Sequence, residues 1–396
     1  MTDSACFSYQ EVFQRLVQDA SVPLTLDSYD FYQSMQSSHS VYFNVASASW
    51  FIFRYDDVRR VLLDTATFSS RRQINPDGSI DPVMGSNIIA IDPPRHRQLR
   101  ALVSQAFTPR VIARLESRVT SLVHSLLDQV QDKGEMDVVD DLAFPLPVTV
   151  IAELLGVPSS DRDQFRQWSA DIVGPDFALV RATAEKVTQY FQVLIEQRRI
   201  APQEDLISAL LMAEIDGEHL SDIEIQSNCS LLLVAGHETT TGLISNAIVC
   251  LDEHPEAMQQ LVAQPELLPS AIEEVLRYRA VAHSTVRIVT VDTVLGGQEI
   301  KAGNIVLPLV ASANLDEAQF PNANRFDIRR TPNRHLGFGH GIHTCLGAPL
   351  ARLETRIALG IMLERLPHIQ RLRTIPLELR PSSSIYGLKH VPITFG

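Results

Sequence analysis

Between Ser221 and Leu251 apolar residues recur near the 3.6-residue period of a helix for about thirty residues, and at 1.5 Å per residue such a helix is about 45 Å long, enough to cross a whole domain. Its start is marked, because Ser221 is a good N-cap residue and Glu224 follows three positions later, the spacing of a capping box. A chain with one helix of that length must arrange its other elements around it. Helical periodicity also runs through 56–63, 94–106, 111–130, 181–199, 265–278 and 349–366. Strand-like runs are shorter, at 41–45, 50–54, 286–291 and 299–307, with turn residues such as Gly296, Gly297 and Gly303 between them. The expectation is a mainly α chain with small β-sheets beside a helical body.

There is no internal repeat and no Gly/Ser linker, and the loosest stretch, 77–82, reads as a surface loop, so residues 1–396 are expected to form a single domain with a small β-rich part near the N-terminus. At 45% hydrophobic and 20% charged residues the chain can bury a large core. A formal net charge of −13 opposes a nucleic-acid partner, which needs clustered Lys and Arg. Residues 1–10 carry Asp3 and no basic segment leading into an apolar stretch, so they do not read as a signal peptide; no apolar run reaches the roughly 18 residues of a membrane span. A cytoplasmic protein without a membrane anchor is expected. The four cysteines are scattered, without disulfide or zinc spacing, and Cys6, Cys229 and Cys250 read as small apolar packers.

Cys345 stands apart. In Phe338-Gly339-His340-Gly341-Ile342-His343-Thr344-Cys345-Leu346-Gly347 the glycines sit where a backbone must turn tightly or approach a flat ligand. The helical pattern beginning near Pro349 places Cys345 just ahead of a helix N-terminus, where dipole and free N–H groups favour a thiolate. An inert thiol, or a nucleophile paired with His340 or His343 in a cysteine hydrolase, is the alternative that the residues alone leave open.

The pattern Phe-Gly-x-Gly-x-His-x-Cys-x-Gly resembles the cysteine loop of the cytochrome P-450 family, and three further segments are similar to that family's landmarks in the same order. The resemblance implies the family fold, with haem b between the long central helix and the cysteine-loop helix. Cys345 would be the iron ligand, Leu346 and Gly347 would direct N–H groups at its sulfur, and Phe338, Gly347 and Ala235 would border the haem. Ala235-Gly236-His237-Glu238-Thr239-Thr240 looks like the stretch that opens a groove for dioxygen in the central helix, with Glu238 and Thr239 relaying protons. Solvated Glu and back-bonded Thr residues are the bland reading of the same six residues. His96 and Arg100, four apart on one helix face, with Arg287 and His343, would hold the haem propionates, while Arg95 and Arg97 read as surface charge. Glu274, Arg277 and Arg325 would form a structural charge network.

By the same resemblance the chain inserts one atom of O2 into a hydrophobic small molecule of fatty-acid, terpenoid, steroid or polyketide type. Electrons would come from NAD(P)H through a separate ferredoxin or flavodoxin with its reductase, since no reductase module is fused. Ile88, Ile89, Val234, Val281, His283, Ser284 and Ile385 are expected around the substrate, with His283 and Ser284 equally readable as buried structural polars. Arg72, Arg97, Arg110, Arg330, Arg334 and Arg352 are candidates for a basic partner-docking patch on a monomer. A peroxide-using peroxygenase and a non-catalytic haem protein that binds a gas or ligand are the rival readings; the Glu238–Thr239 pair speaks against the first.

Overall fold

The computed structural model describes residues 28–71, 85–172, 176–215, 217–380 and 385–396. The start of the chain at 1–10, Cys6, Arg72 and the loop 77–82 lie outside the described residues.

The helices, in chain order, are α1 (Tyr29–Ser38), α2 (Tyr55–Leu63), α3 (Arg95–Ser104), α4 (Pro109–Asp128), α5 (Pro145–Leu155), α6 (Arg162–Ile172), α7 (Phe177–Ile200), α8 (Leu206–Met212), α9 (Asp222–Glu253), α10 (Pro255–Ala263), α11 (Leu268–Tyr278), the single turn α12 (Val310–Ala313) and α13 (Ala348–Arg365). α9 is the long helix expected from the sequence. Its capping box is formed on both sides: the Ser221 hydroxyl accepts from the Glu224 N–H, and the Glu224 carboxylate accepts from the Ser221 N–H at 2.9 Å. From Ile225 to Asp252 it is buried on nearly every side, as a helix crossing the middle of a domain must be. α5, α7, α11 and α13 pack around it.

The four strand-like runs contribute β1 (Val41–Asn44), β2 (Ser49–Ile52), β4 (Arg287–Val289) and β5 (Ile305–Pro308) to one sheet, which β3 (Phe68–Ser69) completes in the order β1-β2-β5-β4-β3. β1 and β2 pair antiparallel with Val41 opposite Ile52, and β5 joins β2 parallel with Val306 opposite Trp50. The run 299–307 is two strands rather than one: Gly303, at φ +86, turns the chain between Gln298–Ile300 and β5. α5 carries no amphipathic signal because Leu146, Val148, Ile151 and Leu155, spread around the helix, are all buried. No helix among the described residues is long and apolar enough to cross a membrane. Cys229 and Cys250 are buried packers, and burial pushes the Cys250 thiol up to about 12.

Candidate active site

The cysteine loop closes on itself, with the Cys345 N–H donating to the Phe338 carbonyl at 2.8 Å. Gly339 and Gly341 hold φ +70 and +74. A Cβ on Gly341 would stand 2.9 Å from the Leu62 carbonyl oxygen, so both backbone and space demand glycine there. The loop faces a cleft enclosing about 1550 Å³ of atom-free space, part of it open to solvent. Cys345, although surrounded by protein, is exposed to this cleft.

The N–H groups aimed at the sulfur are those of Gly347 and Ala348, not Leu346 and Gly347, because α13 begins at Ala348 and its free N–H groups start there. The expected preference for thiolate is also overturned in the bare protein. Burial raises the thiol above its ordinary range and outweighs those N–H groups together with Arg100 and Arg352. A bound metal cation would reverse that balance, since a coordinating thiol is deprotonated by its metal. Arg352 is held by a bidentate pair with Glu273 at 2.6 and 2.7 Å, and its guanidinium lies 4.5 Å over the Phe338 ring. Phe338 and Gly347 both border the cleft. No imidazole bonds the sulfur among the described residues; the His343 Nε2 faces the Ser70 hydroxyl at 2.9 Å, which removes the geometric basis for a Cys/His hydrolase.

Opposite the sulfur runs α9, with Ala235, Gly236, Thr239 and Thr240 on the cleft. The helix is continuous past this point. The Thr239 hydroxyl donates to the Ala235 carbonyl at 2.7 Å, and Thr241 bonds both the His237 and Ala143 carbonyls. Of the expected proton-relay pair only Thr239 borders the cleft. Glu238, one residue and 100° away around the helix, is buried beside the cleft, where burial pushes its carboxyl up to about 7 against the opposing pull of Arg380.

The rim gathers positive charge. Arg100, Arg287 and His343 border the cleft, and the His96 ring lies 4.4 Å from that of His343. Burial, then Arg287, His96 and Arg100, holds the His343 imidazole down at about 3. Both ring nitrogens of His96 are buried without a hydrogen-bond partner, and burial followed by Arg100 lowers its pKa. An anion bridging these groups would satisfy the orphaned imidazole and offset the repulsion. A Cβ on Gly347 would meet nothing within 4 Å, leaving a flat face open above the cysteine. A planar dianion with a central metal therefore fits this residue set.

Ile88, Ile89, Val281 and Ser284 border the cleft, whereas Val234, His283 and Ile385 do not. Val234 is turned off the face that Ala235 presents. His283 sits between two cleft residues of an extended segment and points the other way, its Nε2 bonded to the Tyr32 hydroxyl and its ring stacked 6.1 Å from Tyr386. Ile385 pairs its backbone with Ala282, one strand back. Leu231, Leu232, Ile151, Phe107, Ala282 and Thr285 also border the cleft. Their sequence signal is that of ordinary core.

The charge network differs in one member. Glu274 and Arg277, both fully buried, pair through two bonds of 2.8 Å, but the third cation is Arg330, whose Nε reaches Glu274 at 3.2 Å. Arg325 is exposed and contributes only its backbone carbonyl, which accepts from Arg277 at 3.0 Å. Arg330 is thereby withdrawn from the docking patch, and Arg352 is neutralised by Glu273; Arg97, Arg110 and Arg334 remain exposed. Arg95 is not simple surface charge, since it grips Glu224 with two bonds.

A family model described as cytochrome P450 matches residues 30–155 and 135–390. The putative cytochrome P450 YjiB of Bacillus subtilis is 44% identical, over 91% of this chain and 92% of its own length. Cyclomarin C epoxidase CymV of Salinispora arenicola is 40% identical, over 92% and 94%. The crystal structure of CYP109E1 from Bacillus megaterium in complex with corticosterone superposes with a TM-score of 0.86 at 39% identity, covering 93% of this chain and 98% of that one. With a cysteine facing an anion-seeking cleft beneath a continuous central helix, and with relatives matched over nearly their whole length, the chain belongs to the cytochrome P450 family and is a monooxygenase of that family.

Proposed function

We propose that the protein is a haem-thiolate monooxygenase that inserts one oxygen atom of O2 into a hydrophobic small molecule, supplied with electrons from NAD(P)H by a separate ferredoxin or flavodoxin system. The observation that carries this is the meeting, in one cleft, of the Cys345 sulfur, the cationic rim and the apolar wall. Haem b, when bound, supplies the redox chemistry and O2 activation. The chain's own residues do the rest. The Cys345 thiolate would hold the iron, with the Gly347 and Ala348 N–H groups moderating its charge. His96, Arg100, Arg287 and His343 would hold the propionates. Ile88, Ile89, Leu231 and Val281 exclude water and orient an apolar substrate, with Ser284 and Thr285 as polar fixings.

The Thr239 hydroxyl donates a proton into the cleft by exchanging its bond to the Ala235 carbonyl. Glu238 resupplies it: a carboxyl near 7 is present in both protonation states at neutral pH, the condition for accepting and releasing a proton with equal ease. The apolar wall supports a hydrophobic substrate, and it agrees with a relative named mycinamicin IV hydroxylase/epoxidase and with neighbours solved in complex with corticosterone and testosterone. Exposed Arg97 and Arg110 support docking of an acidic electron donor. The test is the absorption spectrum of the reduced protein with CO, for the wild type and for Cys345→Ala. A strongly red-shifted Soret band lost in the variant is expected; a protein that takes up no haem, or a band indifferent to Cys345, overturns the proposal.

A further inference from the structure

Asn228 is a buried polar residue in the early turns of α9, among apolar Ile225, Cys229 and Leu232. Its amide is used at both ends. Nδ2 donates to the Glu224 carbonyl at 2.7 Å, and Oδ1 accepts the backbone N–H of Ile88 at 3.3 Å, from a part of the chain 140 residues away. One turn earlier on the same face, the Glu224 carboxylate accepts Nε and Nη2 of Arg95 at 2.7 and 2.8 Å, while Arg95 Nη1 reaches Glu218 at 2.9 Å. Two clamps thus hold the two ends of segment 88–95 against the start of α9. That segment carries Ile88 and Ile89 onto the cleft, with Ile89 37% exposed at its mouth, and leads directly into α3 with His96 and Arg100. Further along the same helix, Leu231, Leu232, Ala235 and Thr239 border the cleft. One helix therefore builds the wall of the cleft and also anchors part of its cover.

We propose that Asn228, acting with the Glu224–Arg95 pair, is a positioning residue that sets how far Ile88 and Ile89 stand over the cleft, and thereby selects apolar ligands by size. The consequence for ligand choice rests on the proposed function; the clamp itself does not. Asparagine is required at this position by its two ends. Leucine has no acceptor and leaves the buried Ile88 N–H unsatisfied, and aspartate would turn a second oxygen toward the Glu224 carbonyl.

The test uses the full haem-loaded chain as wild type, Asn228→Leu and Arg95→Gln, with two readouts. Amide hydrogen exchange over residues 85–92 reports the clamp, and titration with imidazole and the bulkier 1-phenylimidazole, read from the Soret band, reports access. In Asn228→Leu, exchange at Ile88 and Ile89 is expected to rise roughly fivefold, the factor that about 1 kcal/mol of hydrogen bond represents at 1.4 kcal/mol per decade. The affinity ratio of the two ligands should change by a similar factor, and Arg95→Gln should move both readouts in the same direction. Unaltered exchange over 85–92, a uniform acceleration across all amides, or an unchanged ligand ratio overturns the proposal. Should Asn228→Leu fail to fold, Arg95→Gln decides by the same criteria. If the chain takes up no haem, the exchange data still decide the clamp, and only the proposed function has failed.

Discussion

Replacing Glu274 with Gln removes the charge at the centre of the buried network while keeping its shape. The carboxylate accepts five bonds: two from Arg277 at 2.8 Å, and one each from Arg330 at 3.2 Å, the Asp327 N–H at 2.9 Å and Asn333 Nδ2 at 3.1 Å. A glutamine has one oxygen for these donors and turns an NH2 toward the others. Arg277 is fully buried, so it keeps its charge without a counterion, a situation that costs about 3–5 kcal/mol. At about 2.1 cal/mol/K of unfolding entropy per residue, the 396-residue chain changes its melting temperature by about 1.2 °C per kcal/mol. Glu274→Gln should therefore lower Tm by about 4–6 °C, with reduced haem content in the purified protein. Arg325→Ala is the control: its exposed side chain makes no bond to Glu274, so its cost should stay below about 0.5 kcal/mol and its Tm within about 1 °C of wild type. Circular dichroism melts at one scan rate compare the three proteins. An Arg325→Ala loss equal to that of Glu274→Gln would mean that Arg325, not Arg330, closes the network; a Glu274→Gln protein as stable as wild type would refute the reasoning altogether.

Glu354 on α13 is fully buried with an unpartnered Oε2, and burial pushes its carboxyl up to about 8. The folded protein thus holds a proton that the unfolded chain releases near its ordinary value, so stability is greatest below that value and falls as pH rises toward 8. Glu354→Gln should flatten this decline, and urea midpoints at pH 6 and pH 8 that fall equally in variant and wild type would contradict it. The two loop glycines separate fold from ligand. Gly341→Ala should destabilise the protein even without haem, by about 1–3 kcal/mol, because of its φ of +74 and the Leu62 carbonyl. Gly347→Ala should leave the melting of the haem-free protein unchanged and weaken haem uptake, since its added methyl enters open space of the cleft; equal melting losses in the two would refute the distinction.

Local physics was enough for much of this protein. The capping box at Ser221 and Glu224, the period of α9 and α13, and the glycines around Cys345 act within a few residues of themselves, so their consequences were readable before any folding was known. The resemblance carried by those motifs led to the family and to the rim cations. What escaped was whatever depended on which face meets which neighbour. α5 is apolar around most of its circumference, with only Thr149 and Glu153 polar, and has little period to read. Val234 and His283 differ from the cleft residues beside them only by a turn of the backbone, and Arg330 outcompetes Arg325 for Glu274 because of where its loop returns. The partners Arg95–Glu224 and Ile88–Asn228 lie 129 and 140 residues apart. The sequence by itself determined the long helix, the glycine-lined cysteine loop and the chemistry they imply, because those are short-range preferences of backbone and cap. Only the tertiary structure decided which side chains border the cleft and which hold its cover, because a hydrogen bond or ion pair between distant segments exists only once packing has brought them within about 3 Å.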